Sequence, residues 1–304
     1  MRRNYLSIQI TLITFLFATS CEVPVEIEGD PQLVVQSLFS DKQDLIVYVT
    51  ESNLRSNLPG KNVDNATVSL FSGDSLNFLT TLIYINDAQN QRYQSVDFDP
   101  KEGVVYMLSV EVPGHKPVTA STTIPIAVNI NEEGSNHESF ASTGELGHVD
   151  IQFDVSVSIN DPAEHKNYYH ILFAQEMISK VIGAEGEITY DTSLLNTDEN
   201  LFIACTSECG FIQQMFDFPS FILNDLEFNG KVIKFNFEGH YSYDPEIYQR
   251  GDFRLEMRTV SSDYYQNTLN LLNKIDGGGL YTDYNDAFTN VNNGVGVLGI
   301  YYTS

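Results

Sequence analysis

Basic side chains are scarce in this chain: 16 lysines and arginines stand against 41 aspartates and glutamates, a formal charge of −25 at pH 7. Nucleic-acid backbones are held through Lys and Arg clusters that displace counterions; the chain has no such cluster, so nucleic acid is excluded as a partner. Long apolar runs are missing too, and after the first 20 residues nothing has the length of a membrane-spanning helix. No His-Glu-x-x-His, Gly-x-Ser-x-Gly elbow, phosphate loop or dinucleotide fingerprint occurs. The expectation is therefore a protein that is not an enzyme, with no catalytic residues, no cofactor and no metal site. The six histidines are scattered, and His165 and His170, five residues apart, would point to opposite faces of a strand, which makes them poor joint ligands. Carboxylate pairs carry no signal for glycoside chemistry, because so many acids always place some pair at a workable distance. Asp276 to Asp286 superficially resembles a calcium loop but lacks the EF-hand order.

Cysteine is the third scarcity, with three in all, at 21, 205 and 209. Cys21 is the most informative. Arg2 and Arg3 form a basic start, Leu6 to Phe17 an apolar stretch too short to span a bilayer, and Ala18-Thr19-Ser20 a run of small residues before the thiol. This is the order of a bacterial lipoprotein signal, which predicts cleavage before Cys21 and acylation of that residue, for instance with palmitate. A membrane partner then follows through the N-terminal lipid, since several buried acyl chains hold a protein where one holds only weakly. Ordinary secretion is the alternative reading, because Ala18 and Ser20 also suit a general signal peptidase. Export would place Cys205 and Cys209 in an oxidising compartment, where Cys-x3-Cys points to a small disulfide loop, with two free thiols as the alternative.

Residues 21–32 follow the signal (1–20) as an acidic, proline-containing tether with no regular period. From Leu33 short β-prone runs alternate with turn residues: Leu33–Phe39, Leu45–Thr50, Ala66–Phe71, Phe78–Ile85, Arg92–Phe98, Val104–Val112 and Val118–Ile124. Seven runs at this spacing predict an immunoglobulin-like β-sandwich over 33–125. Polar, turn-rich residues 132–147 read as an interdomain crossing or a long surface loop. Alternation resumes at Ile151, Phe153, Val155, Val157 and Ile159, again at Ile233, Phe235 and Phe237, and at Phe253, Leu255 and Met257. A second β-rich domain is expected over 126–304. Asn229-Gly230 reads as a hairpin turn. Asp263 with Gln266 resembles a capping box, and Tyr265, Leu269 and Leu272 recur at helical spacing, which predicts one packed C-terminal helix. Between two strand runs lies His240 to Tyr248, whose Tyr241, Tyr243 and Tyr248 could stack on a flat ligand or anchor a partner, or simply cover the rim of the sandwich.

Several segments resemble a known family. They are Asn65-Ala66-Thr67-Val68-Ser69-Leu70, Gly103 to Val110, Val118 to Pro125, Asp161-Pro162 with Asn167-Tyr168-Tyr169, Ser262-Asp263-Tyr264-Tyr265, and Asn290 to Val297. Their order after a lipoprotein cysteine is similar to that of the Bacteroidota lipoproteins grouped as domain-of-unknown-function family 4249. The resemblance spans the mature chain and implies an outer-membrane, surface-exposed lipoprotein, with a TonB-dependent transporter as partner because such genes often neighbour transporter genes. It carries no catalytic residues. Glu22, Glu26, Glu28 and Asp30 are similar to the acidic stretch that directs such lipoproteins to the cell surface. The leading expectation is thus a surface-exposed binding accessory to a transporter. The alternatives are an adhesion or structural surface lipoprotein without a transporter and, behind both, a surface hydrolase.

Overall fold

The computed structural model describes residues 30–53, 60–73, 75–87, 90–95, 97–128, 130–141, 148–182, 188–195, 201–207, 213–215, 220–276 and 288–303. Cys21, Cys209, the signal segment and the 277–286 part of the calcium-like loop lie outside these residues. The first strands are β1 (Leu33–Ser40), β2 (Leu45–Glu51), β3 (Lys61–Asn62), β4 (Thr67–Ser72), β5 (Asn77–Thr81), β6 (Ile83–Asn86), β7 (Gln91–Ser95), β8 (Val105–Glu111) and β9 (Val118–Thr123). Then come β10 (Ile130–Ala141), β11 (Val149–Asn160), β12 (Tyr168–Ile182), β13 (Ile188–Leu195), β14 (Leu201–Ser207), β15 (Gln213–Met215), β16 (Ser220–Asn224), β17 (Val232–Tyr243) and β18 (Tyr248–Val260). A helix, α1 (Ser262–Asp276), precedes β19 (Val291–Asn292) and β20 (Val295–Thr303). The fold is mainly β with a helix near the C-terminus, as the sequence predicts.

One large mixed sheet organises the molecule, in the order β15-β16-β12-β18-β20-β1-β2-β7-β6, with β13 also beside β12 and β3 beside β2. Its β1, β2 and β7 share a core with the sheet β19-β9-β8-β4-β5, built on Leu33, Val35, Phe39, Leu70, Leu108 and Val110. Its β16, β12 and β18 share a second core with the sheet β10-β11-β17-β14, built on Phe153, Val157, Ile171, Phe173, Phe235 and Phe237. Period-2 alternation makes both cores: in β1, Leu33, Val35, Ser37 and Phe39 point inward while Gln36 and Leu38 face out. Cutting one such core side chain to Ala costs about 2–5 kcal/mol.

Strand β20 is the seam. It runs parallel to β1 from Val34↔Val295 to Ser40↔Tyr301, and antiparallel to β18 on its other side. β19 pairs with β9, and Val291, Leu298 and Ile300 are members of the first core. The end of the 126–304 segment thus completes the core that residues 33–125 begin.

The start of strand β12, Tyr168 to Ile171, is buried on both faces, because α1 covers the side turned away from the second core there. Tyr169, Ile171 and Phe173 enter that core, while Tyr168 meets Ile222, Tyr264, Tyr265, Leu272 and Tyr301 under the helix, with Leu269 beside them. The Tyr265, Leu269, Leu272 stripe is therefore core, as its spacing predicts. The helix cap differs from expectation: Ser261, not Asp263, caps α1, its Oγ accepting from the Tyr264 N–H at 3.2 Å. Asp263 instead accepts from Thr122 Oγ1 at 3.2 Å, tying the helix to β9.

Three further expectations are corrected. The polar residues 132–147 are not simply a crossing or loop: β10 occupies 130–141 and pairs with β11 through Ala141↔Val149. A ladder needs backbone groups, which a polar sequence supplies as well as an apolar one. Phe78–Ile85 divides into β5 and β6 in different sheets, with buried Leu82 at the corner. Asn229-Gly230 does turn the chain, with Gly230 at φ 74°, but it joins β16 and β17, which belong to two sheets and do not pair as a hairpin.

Candidate functional site

The outward face of β11, β17 and β14 carries side chains that the cores do not use. Antiparallel register aligns Gln152 with His240 and His240 with Phe202, and in the next row Asp154 with Glu238 and Glu238 with Ala204. Inward alternation of Phe153, Val155, Phe237 and Tyr241 forces these neighbours outward. Together they line a shallow hollow of about 330 Å³, bounded by Gln152, Asp154, Phe202, Glu238, Gly239 and His240.

Two features of the hollow are costly for the fold. Asp154 and Glu238 are direct cross-strand partners, so like charges face each other at a spacing of about 5 Å between Cβ atoms, which is destabilising. Among the described residues neither carboxylate meets a cation or a hydrogen-bond donor. Phe202 is 52% exposed, its ring 5.0 Å from that of His240. Gly239, an inward position between these outward ones, leaves room for the core ring of Phe153: a Cβ there would lie 2.3 Å from Phe153 Cζ and 2.7 Å from the Phe202 carbonyl oxygen. A second hollow, of about 510 Å³ beside Leu79, Asp97, Phe98, Asp99 and Lys101, differs in kind, because its Lys101 and Asp99 are paired with each other.

Two buried polar clusters flank the second core and hold the scaffold. Asp161 Oδ1 accepts from Asn167 Nδ2 at 3.1 Å and from the Tyr169 hydroxyl, and its Oδ2 accepts from the Gly230 N–H at 2.9 Å. Asp225 Oδ2 accepts from the Asn167 N–H at 2.7 Å, while its Oδ1 is buried with no partner. Burial, together with the hydrogen bond to Asp161, raises the Tyr169 hydroxyl well above its usual range, and burial raises Asp225. Under the helix, His170 Nδ1 lies 2.9 Å from the Tyr264 hydroxyl and its Nε2 is buried without a partner. Burial first, then Arg258, push its pKa down to about 3, so the imidazole is neutral. The Arg258 guanidinium sits 4.2 Å above the Tyr301 ring, and its Nε donates to Glu256 at 2.6 Å.

The tyrosines at 241, 243 and 248 are not gathered on one loop. Tyr241 and Tyr243 lie on the inward face of β17 and stack at 6.4 Å, with Tyr241 fully buried, whereas Tyr248 begins β18 and is partly exposed. Strand β17 simply continues further than the sequence suggests, and only Asp244 to Ile247 form the turn. Cys205, on β14, is disulfide-bonded. His165 precedes β12 and His170 lies within it, so the pair does not converge.

Phe153 and His240 belong to runs that the sequence marks, but Gln152, Asp154, Phe202 and Glu238 carry no motif. Outward positions on alternating strands are identifiable, but which strand lies beside which is set by pairing between distant segments. The polar Asp161 and Asn167 cluster did leave a trace, since Asp161-Pro162 and Asn167-Tyr168-Tyr169 are among the segments that carry the family resemblance.

A sequence model of the family described as Domain of unknown function (DUF4249) matches residues 20–304. No curated protein matches the chain. Among solved structures, the collagen binding domain of the Erysipelothrix rhusiopathiae surface protein RspB aligns over 91% of this chain and 96% of that one, at 9% identity and a TM-score of 0.19. At that score the alignment bears on neither fold nor function.

Proposed function

We propose that this chain, which belongs to the DUF4249 family, is a lipid-anchored outer-membrane lipoprotein displayed at the cell surface, where it binds a ligand as accessory to a TonB-dependent transporter. The observation that carries the reading is the start of the family match: it begins at residue 20, directly before Cys21, so the shared part coincides with what signal cleavage would leave. Acylation at Cys21 would hold the protein on the membrane, and the acidic residues 22–30 would keep the folded part hydrated and clear of it.

Binding, as opposed to catalysis, is supported by the open hollow on an outward sheet face. Its walls offer acceptors and an aromatic ring to something that arrives from solvent. A protein partner is supported by the resemblance to lipoproteins whose genes neighbour transporter genes. Exposed apolar side chains on sheet edges suit such a partner: Phe78 on β5 and Ile83 on β6 are 60% and 61% exposed.

Fractionation tests the anchor: the wild-type chain should sediment with outer membranes and Cys21→Ala should move to the soluble fraction. Affinity purification in mild detergent tests the partner. Co-purification of a β-barrel transporter is the expected result, and recovery of the lipoprotein alone would overturn the transporter reading.

A further inference from the structure

We infer that the hollow on the outer face of β11, β17 and β14 is a binding site for a guanidinium group, borne by a small molecule or by an arginine side chain. Asp154 and Glu238 are acceptors only, Gln152 offers a carbonyl acceptor beside its NH2 donors, and the ring pair of Phe202 and His240 presents an aromatic face beside them. A ligand that complements this set must be rich in donors, positively charged and flat enough to lie on a ring. Guanidinium has all three properties: five N–H donors in a planar fork, permanent charge, and weak hydration that lets it stack. It would pair with a carboxylate through two parallel hydrogen bonds while its plane lies on Phe202.

The register explains why the acids stand where they do. Fold stability alone disfavours two carboxylates opposite one another, and a cation between them turns that repulsion into attraction. Metal ions fit less well, since no three His, Cys, Asp or Glu side chains among the described residues converge as ligands. The strongly acidic chain as a whole would draw cations toward the face. The other hollow is less acidic, since Lys101 pairs with Asp99 and leaves only Asp97 uncompensated in its lining.

This inference rests on the binding role proposed above but not on the lipid anchor or the transporter. The test uses the full-length protein in detergent, titrated with N-acetyl-arginine amide and followed by ligand-observed NMR, with the citrulline analogue as a neutral isostere. Saturable binding of the arginine probe, absent for citrulline, is expected. Asp154→Asn with Glu238→Gln should weaken it about tenfold or more, and Phe202→Ala about threefold. Removing equal charge elsewhere, with Glu102→Gln and Glu227→Gln, should leave it unchanged. Equal weakening by both double variants would mean diffuse charge attraction and overturn the site, as would equal binding of the citrulline analogue. Failure of the arginine probe to bind a variant-free, folded protein would also overturn it. An arginine peptide binding far more tightly than the amide assigns the site to a protein partner, and equal affinity assigns it to a small molecule; both support the guanidinium site. Because the substituted acids are exposed and repel each other, the Asp154 and Glu238 variants should unfold no earlier than wild type, which separates lost binding from lost fold.

Discussion

Asn290 pairs with Leu298 as a strand residue pairs with its neighbour: its Nδ2 donates to the Leu298 carbonyl at 2.8 Å, and its Oδ1 accepts from the Leu298 N–H at 2.9 Å. The side-chain amide thus stands in for a backbone amide and holds the middle of β20. Asn290→Ala would leave a donor and an acceptor of the buried strand unsatisfied. The expected loss is about 2–3 kcal/mol, read from the urea midpoint. Asn290→Asp should cost a similar amount, because a carboxylate cannot donate to the carbonyl.

Gly296 offers a sharper test of the same strand. It lies at φ 123°, and a Cβ would fall 1.9 Å from the Val35 carbonyl oxygen, in the parallel seam between β1 and β20. Gly296→Ala should therefore cost about 3 kcal/mol or more. Gly114, at φ 89° with nothing near its missing Cβ, is the internal control, where Ala should cost about 1 kcal/mol. Thermal unfolding of the two variants gives the comparison directly.

The two carboxylates beside Asn167 should respond in opposite ways. In Asp161→Asn one acceptor oxygen becomes an NH2 facing existing donors, with an expected cost of about 2–4 kcal/mol. Asp225, whose Oδ1 has no partner and whose carboxyl is raised by burial, should tolerate Asn within about 1 kcal/mol. Denaturant titrations at neutral pH distinguish the outcomes.

His170 gives the fold an acid limit. Its folded pKa of about 3 lies below the unfolded value of 6.5, so the unfolded chain binds the proton more readily. Stability from the neutral imidazole is full above the unfolded value and is lost as pH falls from 6.5 toward 3, at up to about 1.4 kcal/mol per pH unit. Asp225 and Asp263, both raised by burial, work the other way: their contribution is full below the ordinary carboxylate pKa and is lost as pH rises through their folded values. His170→Gln should flatten the decline between pH 6.5 and 4, measured by urea unfolding at several pH values. An unchanged slope would remove His170 as its source.

Strands such as β8 and β11 were legible because alternation is local: Tyr106, Leu108 and Val110, or Phe153, Val155 and Val157, sort themselves by parity. The helix was legible for the same reason, through Tyr265, Leu269 and Leu272. Strand β10 escaped notice because nothing in Glu132 to Glu138 has the apolar signature of a buried face. The candidate site escaped because Asp154, Phe202 and Glu238 come together only through pairing of β11, β17 and β14, and the register of that pairing is written in no single segment. Asp263 and Gln266 offer the familiar capping spacing, whereas the role of Ser261 rests partly on a contact with the distant seam strand, its Oγ accepting from the Ile300 N–H at 3.2 Å.

That seam also sets an order of events. A chain synthesised from its N-terminus delivers β1 well before β20, yet β1 has β20 as a neighbour and the first core contains Leu298 and Ile300. The leading half must therefore wait, with one side of β1 unpaired and part of its core open, until β20 has been made. A truncation that removes β20 would strand both halves, since the same strand also borders β18.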